Sequence, residues 1–322
     1  MNPRSLLLKI KKKYARRGLV LMYHRIIKID TDPWDIAVSP QNFGEHLQVL
    51  KDYNVISLNK LEGILINKKH LPANTIAITF DDGYADNYLN AKPLLEKYNM
   101  PASFFITNDA FEKRQEFWWD VLERICLQSA HLPEELILNQ PENIHFKISK
   151  QGNADTVTPQ EVYLKLCEIA RKLPADEMQL FIEQLKIWAN NLQDRADYLT
   201  MTKTELLDLG SNPLFTVGAH TVTHPYLPNF SYEYQNKEIQ GNIDYLEKLT
   251  GDKIKYLAYP HGGNNEFTLD IVAQSGLKLA FTTHSKCFYK NSDPYTIPRV
   301  QVIDQDGKTF ASQLKNWMKY NR

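Results

Sequence analysis

The chain has 322 residues, of which 43% are hydrophobic, 24% are charged and 11% are aromatic. Its 38 basic and 38 acidic side chains give a formal net charge of zero, which argues against a chain that binds nucleic acid as a whole. The near-average composition excludes collagen-like and largely disordered chains, and no apolar run approaches the roughly 20 residues needed to cross a bilayer.

Charge is unevenly distributed along this neutral chain. Residues 1–29 contain nine Lys or Arg side chains and no acid, whereas the rest carries 29 basic and 38 acidic side chains. Basic residues within 4–17 surround four apolar residues at helical spacing, namely Leu6, Leu7, Ile10 and Tyr14. This pattern predicts a basic amphipathic segment over residues 1–18 that makes peripheral contact with an anionic membrane. A solvated, frayed terminus is the alternative.

The cysteines indicate a reducing compartment. Cys126, Cys167 and Cys287 are odd in number and far apart, which fits neither a disulfide framework nor a metal clip. The apolar run 6–8 is too short for the hydrophobic region of a signal peptide. We therefore expect a cytoplasmic protein, with the inner face of a bacterial membrane as its peripheral location.

Predicted strands and helices alternate in the first third of the chain. Buried strands are expected at 19–24, 75–80 and 102–107 because each is a short, mostly apolar run without alternation. Ser39 and Pro40 predict an N-cap and first helical residue, and a second helix is expected over about 87–98.

The stretch from about 111 to 209 lacks this alternation of strands and helices. It is rich in Leu, Glu and Lys and is predicted to be a mostly helical insertion. Near its end, Thr202 and Glu205 have the spacing of a capping box. After it the alternation resumes, with strands at 214–217, 256–259 and 279–282, helices at 231–249 and 267–274, and a last extended run at 295–302.

Continuous apolar strands joined by helices indicate parallel strands that are buried on both faces. The sequence therefore predicts an α/β fold, a distorted (β/α) barrel of about seven strands. Its barrel domain covers residues 19–322 and is interrupted by the helical insertion.

Two carboxylates follow the second predicted strand, in Thr79-Phe80-Asp81-Asp82-Gly83. They would lie at the carboxyl end of that strand, where barrel active sites are built. One carboxylate can bind a metal while its neighbour handles protons; alone, the segment also fits a plain turn.

A pair of histidines, His220 and His224, follows a later strand in Val217-Gly-Ala-His-Thr-Val-Thr-His224. Spaced four apart, they are expected on one side of a helical turn, where they can share a metal. With Asp82 they supply one oxygen and two nitrogens, the ligand count of an open catalytic zinc site.

Two further segments end predicted strands. In Leu257-Ala-Tyr-Pro-His261-Gly-Gly263, backbone N–H groups of the turn are candidates for stabilising an oxyanion, or the segment simply turns the chain. In Tyr23-His24-Arg25, the histidine is a candidate general acid.

Together these motifs resemble the polysaccharide deacetylase family, also called NodB-homology or carbohydrate esterase 4. TFDDG at 79–83 and His220-Thr-Val-Thr-His224 match its first two motifs in the expected order. The resemblance covers residues 19–109 and about 210–303, and implies a NodB-like barrel. It also implies that Asp81 is the general base and that Asp82, His220 and His224 bind a divalent metal, usually Zn²⁺, with Co²⁺ or Ni²⁺ as alternatives.

Two departures from the family pattern concern an arginine and a histidine. The Arg of the third motif, which orients the base, is replaced by Ala258, and either Arg25 or Arg299 could take its place. The late Leu-x-His motif is missing, but Leu21-Met-Tyr-His24 resembles the circularly permuted poly-N-acetylglucosamine deacetylases. His24 is therefore expected to be the acid, with His284 in reserve.

The resemblance implies a metal-dependent de-N-acetylase that hydrolyses the acetamide of an N-acetylated sugar, polymeric or lipid-linked, in lipid-linked sugar or cell-surface polysaccharide assembly. Trp118 and Trp119 open the insertion, where their rings either contact substrate or attach the insertion to the barrel. An amide hydrolase on a non-sugar substrate and a non-catalytic glycan-binding barrel are the alternatives. The residues expected to contact substrate are Thr221, Tyr259, His261, Trp118, Arg25 and Arg299.

Overall fold

The computed structural model describes residues 16–129, 131–152 and 155–320, except for the side chain of residue 320. The strands are β1 (Arg17–Tyr23), β2 (Asn54–Val55), β3 (Thr75–Phe80), β4 (Ala102–Ile106), β5 (Glu135–Leu138), β6 (Ile144–Lys147), β7 (Phe215–Ala219), β8 (Tyr256–Ala258), β9 (Leu279–Phe281), β10 (Phe288–Tyr289) and β11 (Val300–Gln301).

The helices are α1 (Pro40–Leu50), α2 (Leu58–Leu65), α3 (Lys92–Tyr98), α4 (Asn108–Lys113), α5 (Trp118–Glu123), α6 (Pro159–Ala170), α7 (Ala175–Trp188), α8 (Lys203–Ser211), α9 (Tyr232–Thr250), α10 (Glu266–Gln274) and α11 (Gly307–Tyr320). A π-helical turn, Asn87–Ala91, precedes α3, and a second one, Arg124–Gln128, continues α5. The predicted helix over 87–98 is thus one π turn followed by α3.

A curled, mostly parallel sheet forms the centre of the molecule, which confirms the predicted α/β fold. The strands lie in the order β10-β1-β3-β4-β7-β8-β9, and the short strands β2 and β11 pair with β3 and β1. Strand β10 runs antiparallel to β1, whereas β1, β3, β4, β7, β8 and β9 run parallel to one another. The carboxyl ends of the parallel strands therefore share one rim.

The first strands of the central sheet, β1, β3 and β4, are mostly apolar because both of their faces are buried. On β1, Leu19, Leu21 and Tyr23 pack in the larger core with the outer helices. The intervening Val20 packs in a smaller core enclosed by the curled sheet, together with residues such as Phe105. A strand buried on both sides cannot alternate apolar and polar residues, which explains its continuous apolar pattern.

The segment from 294 to 301 connects the two ends of the curled sheet. Ile297 pairs with Phe281 of β9, and Val300 pairs with Leu21 of β1. This segment is the predicted extended run 295–302. It places Arg299 next to the carboxyl ends of β9 and β1, at the rim of the sheet.

The insertion has a hydrophobic core of its own, from Val121 to Leu185, to which α5, α6 and α7 contribute. It is mostly helical, as predicted, and also contains the antiparallel hairpin β5–β6. The two ends of the predicted range 111–209 do not belong to this core. Phe111 and the apolar side of α8 pack in the larger barrel core, because their side chains face the sheet and not the insertion.

Helix ends follow the capping signals in the sequence. The Ser39 hydroxyl accepts a hydrogen bond from the N–H of Asn42 at the start of α1 (3.4 Å), and Thr202 and Glu205 form the predicted capping box of α8. Helices α2 and α11 are additional to those predicted. In the described part of the chain, no helix combines the length and apolar character required to span a membrane. The predicted amphipathic segment 1–18 lies outside the described residues as far as position 15.

Candidate active site

The predicted catalytic motifs converge on one rim of the sheet. Asp81 and Asp82 follow β3, His220 follows β7 and His24 follows β1, so the parallel arrangement brings them together. These four residues line a cavity of about 570 Å³ that is also bordered by the insertion. The site is therefore built from barrel motifs on one side and from the insertion on the other.

Asp82, His220 and His224 form a compact set of buried metal-ligand atoms. The Oδ1 atom of Asp82 lies 3.3 Å from Nε2 of His220 and 3.4 Å from Nε2 of His224. The ligand atoms of the three residues all lie within 4.8 Å of one another, and Asp82 Oδ1 has no hydrogen-bond partner. One carboxylate oxygen and two imidazole nitrogens suit zinc and related divalent ions.

The surroundings orient these ligands. His220 Nδ1 lies 2.8 Å from the carbonyl oxygen of Ala258, to which it donates, so that the lone pair of Nε2 points toward Asp82. Burial, followed by the nearby His261 and His220 rings, lowers the pKa of His224 well below its usual value. Burial, the largest single influence, lowers the pKa of His220, but the carboxylates of Asp81 and Asp82 and the Ala258 carbonyl together outweigh it and raise that pKa. A proton and a metal ion would therefore compete for this position.

The two histidines are not on a helical turn, in contrast to the prediction. They lie in the loop after β7, where Thr221 and His224 both have positive φ angles of 65° and 61°. The hydroxyl of Thr221 accepts a hydrogen bond from the N–H of His224 (3.1 Å), and Thr221 is fully buried. Thr221, expected to contact substrate, instead shapes the ligand loop and does not line the cavity.

Asp81 is held by a buried arginine. Nη1 and Nη2 of Arg299 donate to the two carboxylate oxygens of Asp81 at 2.7 and 2.6 Å, and Nε donates to the carbonyl of Thr282 at 3.1 Å. Burial, the largest single influence, raises the pKa of Asp81, but the charges of Arg299 and His220 and the hydrogen bonds from Arg299 together outweigh it and hold this pKa below its ordinary value. Of the two arginines left open by the sequence, Arg299 is the one that orients Asp81.

Arg25 has a different environment. Its Nε lies 3.0 Å from Oδ2 of Asp86, and its guanidinium stacks between the rings of Tyr84 and Tyr198 at 4.5 and 4.2 Å. The side chain is fully buried and does not line the cavity, so it is not placed to contact substrate. The direction of the chain explains this, because the consecutive residues His24 and Arg25 point to different sides of the rim.

His24 and His284 differ in their access to the cavity. His24 lines it, and its Nδ1 atom is buried without a hydrogen-bond partner. His284 is exposed, lies outside the cavity lining, and approaches only the Thr282 hydroxyl through Nδ1 at 3.4 Å. The geometry therefore favours His24 as the acid candidate.

Aromatic and histidine side chains form the remaining wall. Trp118 lines the cavity, and the buried Trp119 attaches the insertion through a hydrogen bond from Nε1 to the Tyr84 hydroxyl (2.9 Å). The ring of His261 lies 4.7 Å from that of His224, and burial lowers the pKa of His261 to about 3. Tyr259, expected to contact substrate, is fully buried and donates its hydroxyl hydrogen bond to the carbonyl of Tyr295.

Three backbone donors of the two turns are already used within the turns themselves. The N–H groups of Gly262 and Gly263 donate to the carbonyls of Tyr259 and Pro260 at 2.8 and 3.0 Å, and the N–H of Gly83 donates to Asp81 at 2.9 Å. These donors close the turns and are not free to bind an oxyanion. At Gly262 the φ angle is +72°, and a Cβ atom would lie 2.2 Å from the Thr283 hydroxyl oxygen. Glycine is required there by both conformation and space.

Sequence reasoning missed part of the cavity wall. Trp34, Arg171, Tyr226 and Asn229 also line it, and they come from loops and from the end of α6. No motif or periodicity marks them, because only the folding of the insertion onto the barrel brings these positions together.

Comparison with known proteins relates both the fold and the motifs to one family. The family model for polysaccharide deacetylases matches residues 68–132 and 184–280. Protein YxkH of Bacillus subtilis (strain 168) is 35% identical over 310 residues, covering 95% of this chain and 79% of its own length. Poly-beta-1,6-N-acetyl-D-glucosamine N-deacetylase of Staphylococcus aureus (strain MRSA252) is 23% identical, over 95% of this chain and 85% of that protein.

Solved structures share the fold. The deacetylase PplD of Streptococcus pyogenes, in complex with acetate, has a TM-score of 0.61 at 19% identity and covers 93% of this chain and 99% of its own. IcaB of Ammonifex degensii has a TM-score of 0.60 at 19% identity and covers 94% and 97%. With the TFDDG and His-x-x-x-His motifs on the shared rim, these matches show that the chain belongs to the polysaccharide deacetylase family, carbohydrate esterase 4, whose members are hydrolases acting on amide C–N bonds.

Proposed function

We propose that this protein is a metal-dependent de-N-acetylase that removes acetate from an N-acetylated sugar. The observation that carries the proposal is the division of labour between two neighbouring carboxylates in one cavity. Asp82 lies in the ligand set with two histidines, whereas Asp81 is paired with Arg299 and stays available to a reacting group. His24 lines the same cavity.

The residues present fit a divalent ion, with zinc as the proposed metal and cobalt or nickel as substitutes. Asp82, His220 and His224 would hold it. Oδ1 of Asp82 is buried without a hydrogen-bond partner, and a cation at this position would compensate that oxygen. When bound, such an ion supplies Lewis acidity, which lowers the pKa of water and polarises a carbonyl oxygen.

The chain's own residues divide the proton transfers between them. Asp81, kept ionised by Arg299, accepts a proton from the water that attacks the acetamide carbon. His24 gives a proton to the sugar nitrogen as the C–N bond breaks, so that acetate and a free amine leave. Trp118, at the insertion side of the cavity, provides a flat surface against which a sugar ring can pack.

The substrate we propose is an N-acetylhexosamine unit of a polymeric or lipid-linked glycan. A relative named for poly-beta-1,6-N-acetyl-D-glucosamine supports the sugar, and the insertion beside the cavity supports an extended ligand. The absence of acids among nine basic residues in 1–29 supports work at the inner face of a membrane, in lipid-linked sugar or cell-surface polysaccharide assembly.

Acetate release from a small panel of substrates tests the proposal. The panel contains a lipid-linked N-acetylhexosamine, an oligomer of β-1,6-N-acetylglucosamine, a chito-oligosaccharide and a cyclic imide. We expect chelator-sensitive release from at least one glycan, restored by zinc. Zinc binding without release from any glycan, together with turnover of the imide, would show that the amide substrate is not a sugar.

The proposed acid is tested by comparing His24→Ala with His284→Ala. Loss of a general acid typically costs about 10²–10⁴-fold in rate, so we expect His24→Ala to lower kcat by this amount with zinc still bound. His284→Ala removes an exposed imidazole outside the cavity and should retain near-normal turnover. The reverse order of effects would assign the acid to His284.

A further inference from the structure

One wall of the active-site cavity carries charged side chains from the insertion. Glu168, Arg171 and Lys172, at the end of α6, line the cavity opposite the barrel motifs, and Trp34 lines it from the loop after β1. Arg171 also borders a second cavity of about 370 Å³ along α7, which shares His261 and other wall residues with the first. A group bound to Arg171 would thus lie beside the reacting sugar.

The two neighbouring cations on this wall differ in how they are compensated. Lys172 Nζ lies 3.0 Å from the carboxylate of Glu168, with which it forms an exposed ion pair. Among the ion pairs of the described residues, by contrast, none includes Arg171. Its guanidinium carbon lies 4.8 Å from the centre of the Trp34 ring, and its carbonyl accepts a hydrogen bond from the amide of Asn229 at 3.4 Å.

Stacking on Trp34 orients the guanidinium without occupying its donors. A guanidinium packs on an aromatic ring through its flat face, so its N–H groups, which lie in the plane, remain directed outward. A planar fork of N–H donors matches the oxygens of a phosphate or carboxylate in a bidentate manner. The end of α6 also favours a cation, but Lys172 already provides one there, and helix electrostatics do not explain a stacked, unpaired arginine at a substrate cavity.

We propose that Arg171, held against Trp34, binds an anionic group that the substrate carries next to its N-acetylated sugar. This inference rests on the proposed deacetylase function and narrows its substrate class to acidic N-acetylated glycans. The group is an oxyanion, either the phosphate of a glycosyl phosphate or the carboxylate of a neighbouring acidic sugar. A neighbouring free amine, which is cationic, is disfavoured at the same position.

The experiment compares three substrates that differ in this group. They are an N-acetylglucosaminyl phosphate, a disaccharide with glucuronate next to N-acetylglucosamine, and the neutral methyl N-acetylglucosaminide. A charge-assisted, bidentate contact predicts that kcat/KM of the zinc-loaded enzyme is at least about 10-fold higher for an anionic substrate than for the neutral one, mainly through KM. The preferred anion identifies the source of the oxyanion.

Arg171→Gln should bring the ratio of anionic to neutral kcat/KM close to one and leave turnover of the neutral glycoside nearly unchanged. Arg171→Lys keeps the charge without the planar fork and should restore only part of the preference. Lys172→Gln is the matched control, because it removes the adjacent cation of the same cavity wall, already paired with Glu168. It should keep the wild-type ratio.

Equal turnover of neutral and anionic substrates by the wild-type enzyme would overturn the inference and leave the deacetylase function standing. An equal loss of the preference for anionic substrates in Arg171→Gln and Lys172→Gln would also overturn it, because the net positive charge of the wall would then explain the preference without a specific contact to Arg171. If no glycan is turned over, the proposed function fails. Calorimetric titration then still tests whether Arg171 binds an anionic group. Tighter binding of the glycosyl phosphate than of the methyl glycoside, lost in Arg171→Gln, supports the inference, and equal binding contradicts it.

Discussion

Asp81→Asn is expected to lower kcat/KM for acetate release about 10³-fold while zinc remains bound, as removal of a general base typically does. Asparagine has nearly the same shape and keeps one oxygen for Arg299, but it cannot accept the proton of the attacking water. Asp81 is buried, and its two oxygens are oriented by Nη1 and Nη2 of Arg299. Steady-state kinetics with a metal assay on the same sample give both quantities.

A second buried Asp–Arg pair offers a matched control. Asp86 pairs with Arg25 at 3.0 Å, as Asp81 pairs with Arg299, but neither Asp86 nor Arg25 lines the cavity. Asp86→Asn should therefore lower the free energy of unfolding while largely preserving kcat. If Asp81→Asn and Asp86→Asn lose activity equally, the effect is structural and Asp81 is not the base.

Arg299→Gln separates the positioning role of the arginine from the chemistry of Asp81. Without the guanidinium, burial raises the pKa of Asp81, so the carboxylate is protonated at higher pH and the acidic limb of the kcat/KM profile shifts upward. Breaking a buried ion pair also costs about 3–5 kcal/mol of stability, which denaturant unfolding measures. Arg299→Lys keeps the charge and should shift the limb less.

The sequence was sufficient for the main sheet because strands that are buried on both faces have a distinctive pattern. Residues 19–23 are all apolar, residues 76–80 are apolar except for Thr79, and the two runs pair in parallel. Helix α11 was missed even though Phe310, Leu314 and Trp317 have helical spacing, because its other residues are mostly polar. The hairpin β5–β6 was missed within a stretch whose composition favours helix.

The candidate site was predictable only where local motifs encode it. Asp82, His220 and His224 lie in short motifs, and the fold brings them together at one rim. Which of Arg25 and Arg299 orients Asp81 could not be predicted from the sequence, because it depends on the pairing of β11 with β1, about 280 positions away in sequence. The positive φ angles at Thr221 and His224, which replace a helical turn by a loop, likewise depend on tertiary contacts.

Loss of a metal ligand is expected to have the largest effect of all. His220→Ala should lower bound zinc from about one per chain to a small fraction and reduce acetate release to background, because two remaining ligands rarely hold the ion. Its Nε2 lies 3.3 Å from Asp82, and its Nδ1 is fixed by the carbonyl of Ala258. Treating the wild-type enzyme with a chelator should give the same loss of acetate release. Added zinc should restore activity in the chelated wild type but not in His220→Ala.

His261→Ala provides the control that makes this result specific. The centres of the His261 and His224 rings are 4.7 Å apart, and His261 lines the same cavity. It does not belong, however, to the set of metal-ligand atoms formed by Asp82, His220 and His224. Its removal should therefore alter KM while zinc content stays near that of the wild type. If His261→Ala loses zinc and His220→Ala keeps it, the metal is held by a different set. The assignment of Asp82 as a metal ligand and Asp81 as the base would then lose its support, because it requires the cation to lie between Asp82, His220 and His224.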